Sequence, residues 1–154
     1  QDASTERRLF ENGQYYHPDK KAHFRFTEPR ELPEKISEEF PIILLTGRGS
    51  SSQWHTQTRT KKSAVLKKLY PENVYAEINP VDAKAGKIKD GRWVWVVSKR
   101  GKIRVRAFLT PTVKTGQIFI PMHYHLVNKL TYPAFDLQSR QPSYKYAAVK
   151  IYPV

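Results

Sequence analysis

The chain is predicted to be a mainly β domain, a closed or nearly closed barrel with short helices, and three features carry that expectation. Short apolar runs recur at regular spacing between glycine turns. Several of these runs alternate apolar with charged residues, as strands buried on one face do. Only short stretches, after Arg59 and after Asn79, have the makings of helices inside the barrel. A two-sheet sandwich would satisfy the same pattern, and periodicity alone does not separate the two.

Residues 1 to 40 read as an arm or linker from a preceding domain, and 41 to 154 as the barrel. In the arm, Lys21 to Pro29 alternates like a short strand, with Phe24 and Phe26 on one face. Leu32 to Phe40 suits one or two helical turns, because Pro33 comes early enough to be tolerated. The barrel opens with Ile42 to Leu45, an apolar run that reads as a strand buried on both faces. Lys61 to Leu69 sets Ala64, Val65 and Leu66 between lysines, which suits a short helix that Tyr70-Pro71 ends.

Val74 to Ile78 is the next strand. Asn79-Pro80-Val-Asp-Ala-Lys-Ala-Gly86 then reads as a helix, with Asn79 as N-cap, Pro80 at the first position and Gly86 just past the end. Asp90-Gly91 turns the chain into Trp93 to Val97, and Lys99-Arg-Gly101 turns it again into Ile103 to Leu109. Gly116 precedes the strand Gln117 to Pro121, and Tyr144 to Tyr152 supplies the last one.

Composition sets the outer limits. A chain of 154 residues is long enough for one domain with a real core. Zero cysteines exclude a disulfide framework, a zinc–thiolate site, an iron–sulfur cluster and a cysteine nucleophile within it, and are what a reducing cytoplasm permits. No apolar stretch reaches the roughly 20 residues of a membrane span, and no secretory pattern opens the chain, so no membrane partner is expected. The polar start at Gln1, without an initiator Met, suggests a piece of a longer protein.

The net charge is +13, from 27 Lys and Arg against 14 Asp and Glu, and it asks for an acidic partner or a neutralising remainder. Nucleic acid is one candidate. Against it, the basic pairs Arg7-Arg8, Lys20-Lys21, Lys61-Lys62, Lys67-Lys68 and Lys99-Arg100 are scattered and form no known nucleic-acid-binding motif.

The stretch from Pro41 to Thr60 concentrates the chemistry. A buried strand runs into Thr46-Gly-Arg-Gly49, then hydroxyls, Trp54-His55 and three spaced threonines. Small residues, backbone N–H groups and Arg48 after a strand offer a cradle for a phosphate-bearing ligand. Gly47 could instead serve only a turn, Arg48 could be a surface cation, Trp54 could fill core volume, and Thr58 or Thr60 could cap the next helix. His123 and His125, two apart, would share a face of a strand, but they lack the further ligands a metal site wants. Carboxylate pairs, a Ser-His-Asp elbow and a P-loop are all without support in the sequence.

The order Thr46-Gly-Arg48, Trp54-His-Thr56 and Thr58-Arg-Thr60 resembles the C-terminal cofactor-binding domain of molybdopterin oxidoreductases, and looks most like that of assimilatory nitrate reductases. Glu77-Ile-Asn-Pro-Val-Asp-Ala83, Gly86, Ile88, Asp90-Gly91, Val94 to Val97 and Arg100-Gly101 follow in the family's order. So do Phe119-Ile-Pro-Met-His-Tyr124, Asn128-Lys-Leu-Thr131, Asp136 and Tyr144-Lys145, so that the resemblance spans residues 41 to 152.

The resemblance implies a six-stranded double-psi β-barrel of the aspartate-decarboxylase-like kind. It further implies a site for bis-molybdopterin guanine dinucleotide, shared with the other domains of the same catalytic chain. Thr46, Gly47, Arg48, Trp54, His55, Thr56, Thr58, Asn128 and Lys145 would contact the cofactor, with Met122 and His123 near the substrate. The molybdenum ligand and any iron–sulfur cluster would lie elsewhere, so the isolated domain would not be catalytic. The intact enzyme would reduce nitrate to nitrite, with an acidic ferredoxin or flavodoxin as the donor that the positive charge would attract. A formate dehydrogenase or another molybdopterin oxidoreductase is the alternative within the family. From other classes come an autonomous basic barrel that binds nucleic acid and a structural module that binds no small molecule.

Overall fold

The computed structural model describes residues 8–49, 57–137 and 139–154. The chain forms two compact units, one up to Glu31 and one from Leu32 to Val154.

The first unit is built of turns. Phe10 stacks on Tyr15 at 4.5 Å between ring centroids, and His17 stacks on His23 at 4.0 Å, with His23 held to Asp19 at 2.9 Å. The strand expected over Lys21 to Pro29 does not form, and Phe24 and Phe26 are 98% and 85% exposed. Alternation describes a strand only where a neighbouring strand takes up its backbone hydrogen bonds, and among the described residues this segment pairs with none.

The second unit is a closed six-stranded barrel in the spatial order β1-β5-β2-β4-β3-β6. Its strands are β1 (Ile42–Gly47), β2 (Tyr75–Ile78), β3 (Trp93–Ser98), β4 (Gly101–Leu109), β5 (Gln117–Pro121) and β6 (Tyr146–Pro153). β1 runs parallel to β5, and β2 parallel to β4, while the remaining neighbours are antiparallel. This interleaving of two parallel pairs is the double-psi barrel, and closure rules out the sandwich. Closure also leaves no unpaired sheet edge.

Strand alternation follows from having one inner face. Leu44, Ala76, Ile78, Val94, Val96, Val105, Ile118, Ile120 and Val149 point inward and are essentially fully buried. β1 is therefore not buried on both faces, as its apolar run suggested. Leu44 and Thr46 face the core, whereas Ile43 and Leu45 lie on the half-exposed outer face.

Two short helices complete the unit. α1 (Ala64–Lys67) is shorter than its lysine-flanked pattern implied and follows a 3-10 turn over Thr60–Lys62. Its cap is Ser63, whose Oγ accepts from the Leu66 N–H, so neither Thr58 nor Thr60 caps it. α2 (Pro80–Ala85) has the expected start, with Asn79 Oδ1 accepting from the Val81 N–H at 2.9 Å. No helix forms over Leu32 to Phe40. Glu34 is instead drawn into the barrel wall, where Arg100 takes both of its carboxylate oxygens.

Candidate functional site

Three segments meet at the end of the barrel where β1 and β5 finish and β6 begins. The parallel pairing sets Gly47 opposite Pro121, and the antiparallel pairing sets Leu45 opposite Tyr146. Beyond these pairs, the Met122 N–H donates to the Gly47 carbonyl at 2.8 Å, and the Thr46 N–H donates to the Lys145 carbonyl at 3.1 Å. The Thr46 hydroxyl donates to the Tyr144 carbonyl at 2.6 Å, so its proton is committed to the barrel while its lone pairs remain.

His123 locks the loop after β1. It is 8% exposed, and its Nε2 accepts the Gly49 N–H at 3.1 Å. Burial and the nearby charge of Arg48 hold its pKa below the ordinary histidine value. The ring is thus neutral with the proton on Nδ1, and this buried Nδ1 meets no partner among the described residues. Buried polar atoms of Gln57 and Thr60 are orphaned in the same way. Such atoms call for a polar ligand, because burial without a partner costs free energy.

Gly47 has a specific steric role. Its backbone is not left-handed, and the need is for space: a Cβ there would meet the Phe119 ring at 3.1 Å. Phe119 floors an open groove of about 690 Å³ on the outer face of β1, β5 and β2, walled also by Leu45, Tyr75 and Glu77. Arg48, Gly49, Thr112 and Lys114 line its polar rim. Burial raises the pKa of Glu77, and burial together with the Glu77 charge raises that of Tyr75. A groove of this size with an aromatic floor and two cations suits an aromatic ring carrying phosphate.

The residues expected at a cofactor site divide as follows. Thr46, Gly47, Arg48, His123 and the backbone of Lys145 come together at this barrel end. The side chains of Arg48 and Lys145 are exposed. Met122 follows β5 directly and is half-buried. Asn128 lies on a separate 3-10 turn, His125–Lys129, which packs on the start of β4, where the Lys129 carbonyl would lie 3.1 Å from a Cβ at Gly101. Thr58 is exposed just ahead of the 3-10 turn at Thr60. Trp54, His55 and Thr56 lie outside the described residues. His123 and His125 do not share a strand face: the chain turns after Pro121, burying the first and exposing the second.

Sequence reasoning passed over the groove. Leu45, Glu77 and Phe119 are far apart in the chain, and only the β1–β5 and β5–β2 pairings bring them together. It also missed the second role of the Asn-Pro-Val-Asp motif. Asn79 Nδ2 donates to the Val113 carbonyl, and Asp82 Oδ2 accepts the Gly116 N–H, each at 2.7 Å. Those bonds fix the β4–β5 connection that carries Thr112 and Lys114 into the groove.

The sequence is similar to that of known proteins. A family model described as "Molydopterin dinucleotide binding domain" matches residues 42–148. The chain is 40% identical over 126 residues to the F420-dependent formate dehydrogenase subunit alpha of Methanocaldococcus jannaschii, covering 80% of this chain and 18% of that protein. It is 35% identical over 152 residues to the assimilatory nitrate reductase catalytic subunit of Bacillus subtilis, covering 96% of this chain and 21% of that protein. The chain therefore spans about a fifth of the length of these relatives. Among solved structures, acetylene hydratase from Pelobacter acetylenicus superposes with a TM-score of 0.65 at 17% identity, over 76% of this chain and 19% of that one, a likeness of fold. Among the described residues no helix is long and apolar enough to cross a membrane.

Proposed function

Because the chain belongs to the molybdopterin dinucleotide-binding family, we propose that it grips molybdopterin guanine dinucleotide within the catalytic chain of a cytoplasmic nitrate reductase. The observation that carries this reading is the meeting of Gly47, Arg48, His123 and Lys145 at one barrel end.

The residues present fit such a group. Arg48 and Lys114 would face the diphosphate, since a planar guanidinium pairs two oxygens of a phosphate at once. Phe119 offers a flat floor for a ring, and the orphaned Nδ1–H of His123 offers a donor. Thr46 ties the end of β1 to the segment before β6, and His123 holds Gly49 beside Arg48. When bound, the cofactor supplies two-electron chemistry at molybdenum, and this chain supplies grip, orientation and charge. Any iron–sulfur cluster belongs to polypeptide outside these residues, which contain no cysteine.

Nitrate is favoured by the extent of the match, which for the nitrate reductase takes in 96% of this chain. Formate is the second reading, favoured by the 40% identity to a formate dehydrogenase subunit. The deciding experiment takes the full protein carrying this chain, purified with its cofactor, and assays viologen-driven nitrate reduction beside dye-coupled formate oxidation. Nitrate turnover alone supports the proposal, and formate turnover alone replaces it with the second reading. Separately, Arg48→Ala should lower the guanine nucleotide released on denaturation per mole of protein. Unchanged content in that variant would remove Arg48 from the cofactor site.

A further inference from the structure

The outer face of β3 and β4 carries cations in an arrangement that the cofactor site does not use. From Lys84 to Arg106 there are nine basic residues and one acidic residue, Asp90. Arg100 is neutralised by Glu34, and Asp90 accepts the Leu109 N–H. Alternation along β4 points Lys102, Arg104 and Arg106 outward, about 7 Å apart from one to the next. Across the ladder, Arg106 stands opposite Trp93, Arg104 opposite Trp95 and Lys102 opposite Val97.

Each cation lies on an indole. Arg106 sits 4.2 Å and Arg104 4.5 Å from the Trp93 ring centroid, and the Lys102 ammonium lies 4.9 Å from that of Trp95. Stacking restrains long side chains that would otherwise lose rotamer freedom on binding. A guanidinium held over a ring still presents N–H groups at its edge that can pair with a carboxylate, although one of those of Arg106 already donates to the Gly91 carbonyl. The result is a preorganised row of positive charge.

We infer that this face docks an acidic protein surface, that of a small redox partner to the enzyme. Carboxylates suit the row better than a nucleic-acid strand does. A base stacking on these indoles would first displace the cations already there, and Trp93 carries two. The inference rests on the proposed oxidoreductase role only in making the partner a redox protein; the charge match is independent of it.

The test uses the full protein and an acidic ferredoxin or flavodoxin as probe, with binding measured by calorimetry at low and moderate salt. The double variant Lys102→Glu/Arg104→Glu should weaken binding at least tenfold at low salt and flatten its salt dependence. Lys102→Gln/Arg104→Gln should give a smaller loss in the same direction. Lys67→Glu/Lys68→Glu, with the same change in net charge on exposed positions elsewhere, should bind nearly as the parent does. Equal loss in both charge-reversal variants would reduce the effect to net charge and overturn the assignment. Unchanged donor binding accompanied by a fall in melting temperature would mean that the rest of the polypeptide covers this face, which also overturns it. Binding of a random oligonucleotide, but not of the acidic protein, would replace the partner with nucleic acid. Viologen-driven turnover, assayed alongside, tests the oxidoreductase reading and leaves the docking result to stand or fall by itself.

Discussion

Glu34 and Arg100 meet fork to fork, with Nη1 donating to Oε1 and Nη2 to Oε2, each at 2.8 Å. The pair closes a junction of four segments. Glu34 Oε2 also accepts the Ala148 N–H of β6 at 2.8 Å, and Arg100 Nε and Nη2 donate to the Leu130 carbonyl at 3.2 and 2.9 Å. The segment before β1, the β3–β4 turn, the turn after β5 and the strand β6 are thereby tied together. Glu34 is 5% exposed, so its charge depends on these partners.

Arg100→Met should destabilise the protein by about 3 to 5 kcal/mol, because it leaves a buried carboxylate without its counter-charge. Burial alone would raise the Glu34 pKa. The hydrogen bonds from Arg100 and Ala148, with the charges of Arg100 and Lys99, outweigh burial and hold it below 4.5. A depressed folded pKa means that this stabilisation is complete above the unfolded value and is lost as pH falls through the folded one. Acid unfolding of the parent should therefore be steeper than that of Glu34→Gln, and circular dichroism during an acid titration measures the difference.

Gly47→Ala should press on Phe119, since its new methyl would stand 3.1 Å from the ring. The ring is half-exposed and can yield outward, into the groove. A modest cost in stability, about 1 kcal/mol or somewhat more, is expected, with a larger loss of bound cofactor. In a Phe119→Ala background the same methyl should cost little further stability, while the cofactor stays lost. A double-mutant cycle in urea that shows plain additivity would contradict the contact.

Much of the barrel could be read from the sequence because its strands follow a period of two and its turns carry their own chemistry. Gly91 and Gly116 sit at φ +68° and +79°, conformations that glycine adopts freely. Asn79-Pro80 opens α2 as a cap followed by a proline should. Strand order was not legible, because β1 pairs with β5 and β6 across most of the chain and no local signal encodes it. The same holds for the site. Thr46, Gly47 and Arg48 announce themselves by following an apolar run, whereas Glu77 and Phe119 meet only through strand pairing. The Leu32 to Phe40 segment misled because an early proline is compatible with a helix, while its one buried carboxylate answers to Arg100.

Asn79 offers a separation of two roles by substitution. Asn79→Asp keeps the Oδ acceptor for the Val81 N–H and loses the donor to the Val113 carbonyl, whereas Asn79→Ala loses both. The cap is worth about 1 kcal/mol. Asn79→Ala should thus be less stable than Asn79→Asp, and both should loosen the β4–β5 connection. Amide exchange at Val113 to Gly116 should accelerate in both variants, and protection that survives in Asn79→Asp would assign the connection to other contacts.

His123 makes the loop after β1 sensitive to pH, and the sign follows from its surroundings. Its folded pKa lies below 6.5, because burial and then the Arg48 charge disfavour the imidazolium. Above the unfolded value both states are neutral and no penalty applies. As pH falls below that value the unfolded chain takes up the proton first, so stability drops until the folded pKa is passed. Protonation would also place a donor on Nε2 against the Gly49 N–H, where an acceptor now stands. The loop carrying Gly49 and Arg48 should release at the same time as the barrel weakens. His123→Gln can accept the Gly49 N–H without titrating, so its melting temperature should lose most of this component of pH dependence as pH falls from 6.5. His123→Leu should be equally insensitive but should retain less cofactor at every pH, for want of any acceptor. Thermal melts across that range, read beside guanine nucleotide content, check both statements. A parent-like pH slope in His123→Gln would move the titration to another group.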